Sequence, residues 1–146
     1  MKHLYSKIFL LLFFGLFFGV IASAADSGVV KINSKKSAME TVEKLKKLIM
    51  QQDFTIYSVH DHGDKKALKQ VISFGNENHN GRIMWHDPAA GLELPLKIAI
   101  FQDDVGDTQV IYRKPTSLRN SYDVQDCRLL DELDQVMADL AKTAIQ

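Results

Sequence analysis

Cysteine is almost missing from this sequence: Cys127 is the only one among 146 residues. A single thiol forms no intramolecular disulfide, so the chain depends on a core and not on cross-links. An excess charge of either sign is missing too, with 18 basic against 18 acidic side chains. That balance speaks against a nucleic-acid partner, because counterion release needs clustered basic groups. No internal repeat, low-complexity stretch or linker divides the chain. There is also no nucleophile elbow, phosphate loop or carboxylate pair at a defined spacing. Cys127 falls one residue into an expected helix capped by Asp126, where a helix N-terminus can activate a thiol. A small residue tolerated in the first turn is the plainer reading, and a bridge between two copies is the third.

The one long apolar run stands at the N-terminus, "MKHLYSKIFLLLFFGLFFGVIASAA". Lys2 and Lys7 precede an uncharged stretch from Ile8 to Ile21, and Ala22-Ser23-Ala24 supplies a small-x-small cleavage pattern. The run is shorter than the roughly 20 residues that span a bilayer. Residues 1–24 are therefore expected to be a signal peptide, with a retained membrane anchor as the alternative. No stable span is expected after cleavage, and the product would be periplasmic or secreted. Residues 25–146 then form one domain of ordinary size with a single core. Five of the eight phenylalanines leave with the leader, so only Phe54, Phe74 and Phe101 remain.

Within that domain, "VVKIN" (29–33) reads as a strand. Ser37-x-x-Glu40 is a capping box, and Met39, Val42, Leu45 and Ile49 recur at helical spacing, predicting a helix over 38–52. "FTIYSVH" (54–60) is a strand with Phe54, Ile56, Ser58 and His60 on one face. "VISFG" (71–75) is another. "NENHNGRIMWHDPAAG" reads as a loop with at most a short helix around 83–86. "LPLKIAIF" and "TQVIYRK" flank the turn residues "DDVGD" as a hairpin. Leu129, Leu133, Val136 and Leu140 predict a helix from Asp126 to about Ala144, its stripe widened by Leu130, Met137 and Ala141. The expected fold is α+β, a two-layer sandwich of order β-α-β-β-β-β-α with two helices on one antiparallel sheet.

The pieces "SAMETVEKLKKLIMQQDFTIYSVHDH", "FGNE" and "LELPLKIAIFQDDVGDTQVIYRKP" resemble the family catalogued as domain of unknown function 302. The resemblance covers about residues 37–115, including Asp61-His62, Phe74-Gly75-Asn76, Met84, Pro88, Leu94-Pro95-Leu96-Lys97, Tyr112 and Pro115. It implies a TATA-binding-protein-like α+β fold and self-association, a dimer being the simplest case; it implies no reaction. Glu77 stands where the family usually has proline, and the connector from His62 to Phe74 is shorter than the family's.

Few residues invite chemistry. His60 and His62 are two apart, so a strand presents both imidazoles on one side, as sheets do for two metal ligands. His86 would be a third ligand, with His79, Asp87 or Glu77 as alternatives, and a divalent metal is the one cofactor this pattern suggests. The competing reading has Asp61 or His62 bonding the connector's backbone where the strand ends. An enzyme would use His62 as general base with Asp61 as its orienter. Asn76 suits a turn, and Lys97 faces solvent or an anion. Trp85 and Met84 are expected to pack over the sheet. The reading is a small exported binding domain that captures a small ligand or metal and self-associates. Asp61, His62, Asn76 and Lys97 are its polar contacts, in a cleft between the sheet, the 76–95 loop and the C-terminal helix. The alternatives are the His62 enzyme and a structural partner-protein module.

Overall fold

The computed structural model describes residues 27–63 and 67–146. The expected leader lies outside the described residues. Five strands, β1 (Val29–Ser34), β2 (Thr55–Asp61), β3 (Lys69–Gly75), β4 (Leu96–Gln102) and β5 (Thr108–Arg113), make one sheet of order β1-β5-β4-β3-β2. Every neighbouring pair is antiparallel. Three helices accompany it: α1 (Ala38–Gln51), α2 (Glu77–His86) and α3 (Leu129–Ala144). The α+β two-layer sandwich expected from the sequence is the fold, with α2 added to the element order.

The capping box at α1 forms as written: Ser37 Oγ accepts from Glu40 N, and the Glu40 carboxylate accepts from Ser37 N at 3.0 Å. Ala38, Thr41, Val42, Leu45 and Ile49 are its buried side. Met39, expected in that stripe, is 55% exposed. Thr41 is buried instead because its hydroxyl is satisfied, donating to Ser37 O at 2.9 Å and lying 3.1 Å from Ser34 Oγ. Inside the sandwich, Ile72, Phe74, Ile98, Ile100 and Val110 meet Leu45, Ile49, Leu130, Leu133 and Met137 in one buried cluster.

The segment read as a loop with a short helix at 83–86 is helical from Glu77. Asn78, Asn80 and Gly81 are poor helix formers and hide it in the sequence. Its cap, Asn76, and the burial of Ile83 hold it. Trp85 and Met84 do not cover the sheet; they are 82% and 41% exposed. At the C-terminal end, α3 begins at Leu129 after Arg128 and not at Asp126. Cys127 therefore precedes the helix and is buried, its carbonyl accepting from Arg119 Nη2 at 3.1 Å. A thiol so enclosed is poorly placed for nucleophilic work or for a bridge between copies.

The strand after α1 does not keep one regular alternation. The β2–β3 register shifts between Ile56 and Ser58. Ile56 pairs with buried Phe74, whereas Ser58 pairs with Ser73, so the bulge sends Ile56 and Ser58 to opposite faces. Beyond it the alternation resumes, with His60 opposite Val71.

Candidate functional site

One face of the sheet is packed by helices, and the pleat fixes what the other presents. Register carries one row across all five strands: Lys31 opposite Ile111, Ile111 opposite Ala99, Ala99 opposite Val71, and Val71 opposite His60. A second row holds Asn33, Gln109, Phe101 and Lys69. Lys31 Nζ lies 5.8 Å from the centre of the Phe101 ring, so both sit on this open face. Lys97, two residues from Ala99, and Arg113, two from Ile111, share it. Overall neutrality thus conceals a face carrying Lys31, Lys69, Lys97 and Arg113.

At one end this face deepens into a cavity of about 190 Å³. Val71, Ala99 and Ile111 form its apolar floor, and Leu94 and Pro115 wall it. Lys97, Arg113 and Lys114 line its margin. Lys97 Nζ donates to the carbonyls of Pro95 and Glu93, at 2.9 and 3.4 Å. Arg113 Nη1 donates to Ser27 O at 3.4 Å. Glu93 lines the cavity as well, its carboxylate accepting from the Tyr122 hydroxyl at 3.1 Å. Two cations thus rest on neutral carbonyl oxygens beside an apolar floor. The cleft expected toward the C-terminal helix lies on the helix-packed face, which the core fills; the opening is on the reverse.

The other expected contacts are not part of this cavity. Asp61 accepts from Gly63 N at 2.8 Å and from Gln70 Nε2 at 3.2 Å. Those bonds, the Gly63 amide foremost, hold its carboxyl below the usual range, with charge from His62 adding less. His62 N donates to Lys69 O at 2.7 Å, and a Cβ on Gly63 would run into Ala67 O. Asp61 is therefore occupied closing the strand end, and is not placed as the orienter of a His62 base. Asn76 Oδ1 caps α2 by accepting from Asn78 N and His79 N, at 3.0 and 3.4 Å.

The rings of His60 and His62 do lie together, centroids 6.3 Å apart and planes inclined at 31°. His86 does not join them in a ligand set. It closes α2 with its ring edge-on to Trp85 at 5.2 Å, and no three His, Cys, Asp or Glu groups converge among the described residues. His79 packs against Phe54 at 5.7 Å. Sequence reasoning found Lys97 and missed Arg113, Val71, Ala99 and Ile111. The alternation Ile111–Arg113 was the available signal, but only strand order shows which phase is left open.

A two-layer α+β domain with an uncovered basic sheet face is the class this geometry defines. The family described as "Domain of unknown function DUF302" matches over residues 30–140, and the chain belongs to it. The crystal structure of an uncharacterized conserved DUF302 protein from Bacillus stearothermophilus superposes with a TM-score of 0.67 at 16% identity. It covers 83% of this chain and 100% of that one. This establishes the family's fold, not the wider TATA-binding-protein-like kinship. Among curated proteins, "Fluoride-specific ion channel FluC 1" of Brucella suis biovar 1 is 28% identical over 105 residues, 67% of this chain and 41% of the relative. Its Brucella abortus counterpart matches equally, over 39% of its length. The chain spans less than half the length of these relatives.

Proposed function

We propose that this is an exported binding domain whose open sheet face captures a small organic anion. The observation that carries the reading is the placing of Lys97 and Arg113 on carbonyl oxygens beside the Val71–Ala99–Ile111 floor. A cation bonded only to neutral acceptors keeps its attraction for an arriving carboxylate, and a charge-assisted bond is about twice as strong as a neutral one. The apolar floor favours a ligand with a short hydrocarbon body. Its size, below the roughly 300–1,000 Å³ of drug-sized sites, favours a small one. By name the Brucella relatives also handle an anion, which agrees in sign with this face. Export rests on the leader-like residues 1–24.

Isothermal titration with hexanoate and with hexylamine tests the reading. Saturable uptake of hexanoate alone, weakened at least tenfold by Lys97→Ala and by Arg113→Ala, is the expected result. Equal uptake of both ligands, or binding indifferent to both substitutions, contradicts it.

A further inference from the structure

We propose that the anion taken up by the cavity is an aliphatic α-amino acid, with Lys97 and Arg113 holding its carboxylate and Glu93 its ammonium. The inference rests on the anion-binding reading above and names the ligand class of that same site. Its ground is charge of both signs around one opening. Glu93 lines the cavity together with Lys97, Arg113 and Lys114. Lys97 Nζ meets Glu93 only at the main-chain oxygen, at 3.4 Å, and gives its shorter bond to Pro95 O. Arg113 Nη1 is turned to Ser27 O. Among the described residues the Glu93 carboxylate forms no ion pair with either cation.

Tyr122 holds that carboxylate in place. Its hydroxyl donates to Glu93 Oε1 at 3.1 Å. Desolvation foremost, and then this bond, raises the phenol's pKa from the ordinary 10.0, so it remains a donor near neutral pH. The charge of Arg113 acts on the same hydroxyl in the opposite direction. Glu93 and Arg113 thus stand within electrostatic reach of one group without pairing. A carboxylate has about four acceptor positions, and Tyr122 occupies one. Glu93 is exposed, so the others are open to an arriving donor.

A plain carboxylate resting on Lys97 and Arg113 also meets the negative charge of Glu93. An ammonium on the adjacent carbon turns that repulsion into a charge-assisted bond. The floor decides where the ammonium belongs. Val71, Ala99 and Ile111 offer no acceptor side chain, whereas the charged residues stand at the margin. Both charges of the ligand therefore lie at one end, and its hydrocarbon chain covers the floor. An α-amino acid with an aliphatic side chain has this layout. An ω-amino acid brings its ammonium over apolar carbon, where an unpartnered charge is costly.

Calorimetric titration of the purified chain with hexanoate, L-norleucine (2-aminohexanoate) and 6-aminohexanoate tests this. The three share one carbon skeleton and differ only in the ammonium. Norleucine should bind at least about tenfold more tightly than either of the others, the gain of one charge-assisted bond. Glu93→Gln, a change at an exposed position, should abolish that preference and leave hexanoate binding no weaker. Hexanoate or 6-aminohexanoate bound as tightly as norleucine, or a preference that survives Glu93→Gln, would overturn this proposal and leave the anion reading standing. Binding of hexanoate and norleucine unaltered by Lys97→Ala, or no binding of any of the three, would overturn both.

Discussion

The side-chain amide of Asn76 donates to the main-chain carbonyl of Asp53 at 3.3 Å, joining the start of α2 to the end of α1 across 23 residues. The same side chain accepts from two amides of α2 through its Oδ1. Asn76 is thus a fastening between helices and not a ligand contact. Asn76→Ala should cost about 1–2 kcal/mol through the lost cap. Denaturant unfolding checks the loss, and hexanoate affinity should stay unchanged.

Asp53, the acceptor in that bond, has φ of 57°, the left-handed region. It ends α1 where glycine is more usual, and Asp tolerates that conformation better than most residues. Asp53→Val should therefore destabilise by about 1–2 kcal/mol, the steric cost of a Cβ-branched residue there. Asp53→Gly should not destabilise. Urea midpoints are the check: lower than the parent's for Asp53→Val, and no lower than the parent's for Asp53→Gly.

Asp103 organises the β4–β5 turn. Its carboxylate accepts from Gln109 Nε2 at 2.9 Å and from the amides of Val105 and Asp107 at 3.2 and 2.9 Å. The Gln109 bond foremost, with those amides, lowers its pKa from the ordinary 3.8. A folded-state pKa below the unfolded one means stability that is present above the unfolded value and lost as pH falls through the folded one. Asp103→Asn should be less stable than the parent at pH 7, and the gap should close as pH falls below about 4. Thermal melts of both proteins from pH 7 to pH 2.5 measure it. A gap independent of pH would contradict the assignment.

Trp85 is the sole tryptophan and is 82% exposed, so its fluorescence reports one known surface. Acrylamide should quench it almost as freely as a tryptophan in solution. Because Trp85 does not line the proposed cavity, hexanoate should not shift its emission directly.

The parts of this fold written in local pattern were legible. The Ser37–Glu40 box and the Val42–Leu45–Ile49 spacing define α1, and the Leu129–Leu133–Leu140 stripe defines α3. Helix α2 was not legible, because its stability comes from Asn76 and from Ile83 in the core, while Asn78, Asn80 and Gly81 argue against it. Thr41 displaced Met39 from the core because a hydroxyl becomes burialworthy only once Ser34 and Ser37 stand beside it. The outward phase of Lys97 followed from its strand alone. Its meeting with Arg113 and Val71 depends on β5 and β3 flanking β4, which no local spacing encodes.

Charge inversion on the open face tests the central claim most directly. The Lys97→Glu/Arg113→Glu double variant keeps the Val71–Ala99–Ile111 floor and reverses the sign of its margin. Titrated calorimetrically at low ionic strength, it should lose hexanoate and gain hexylamine. Retained hexanoate binding in a folded double variant would contradict the account.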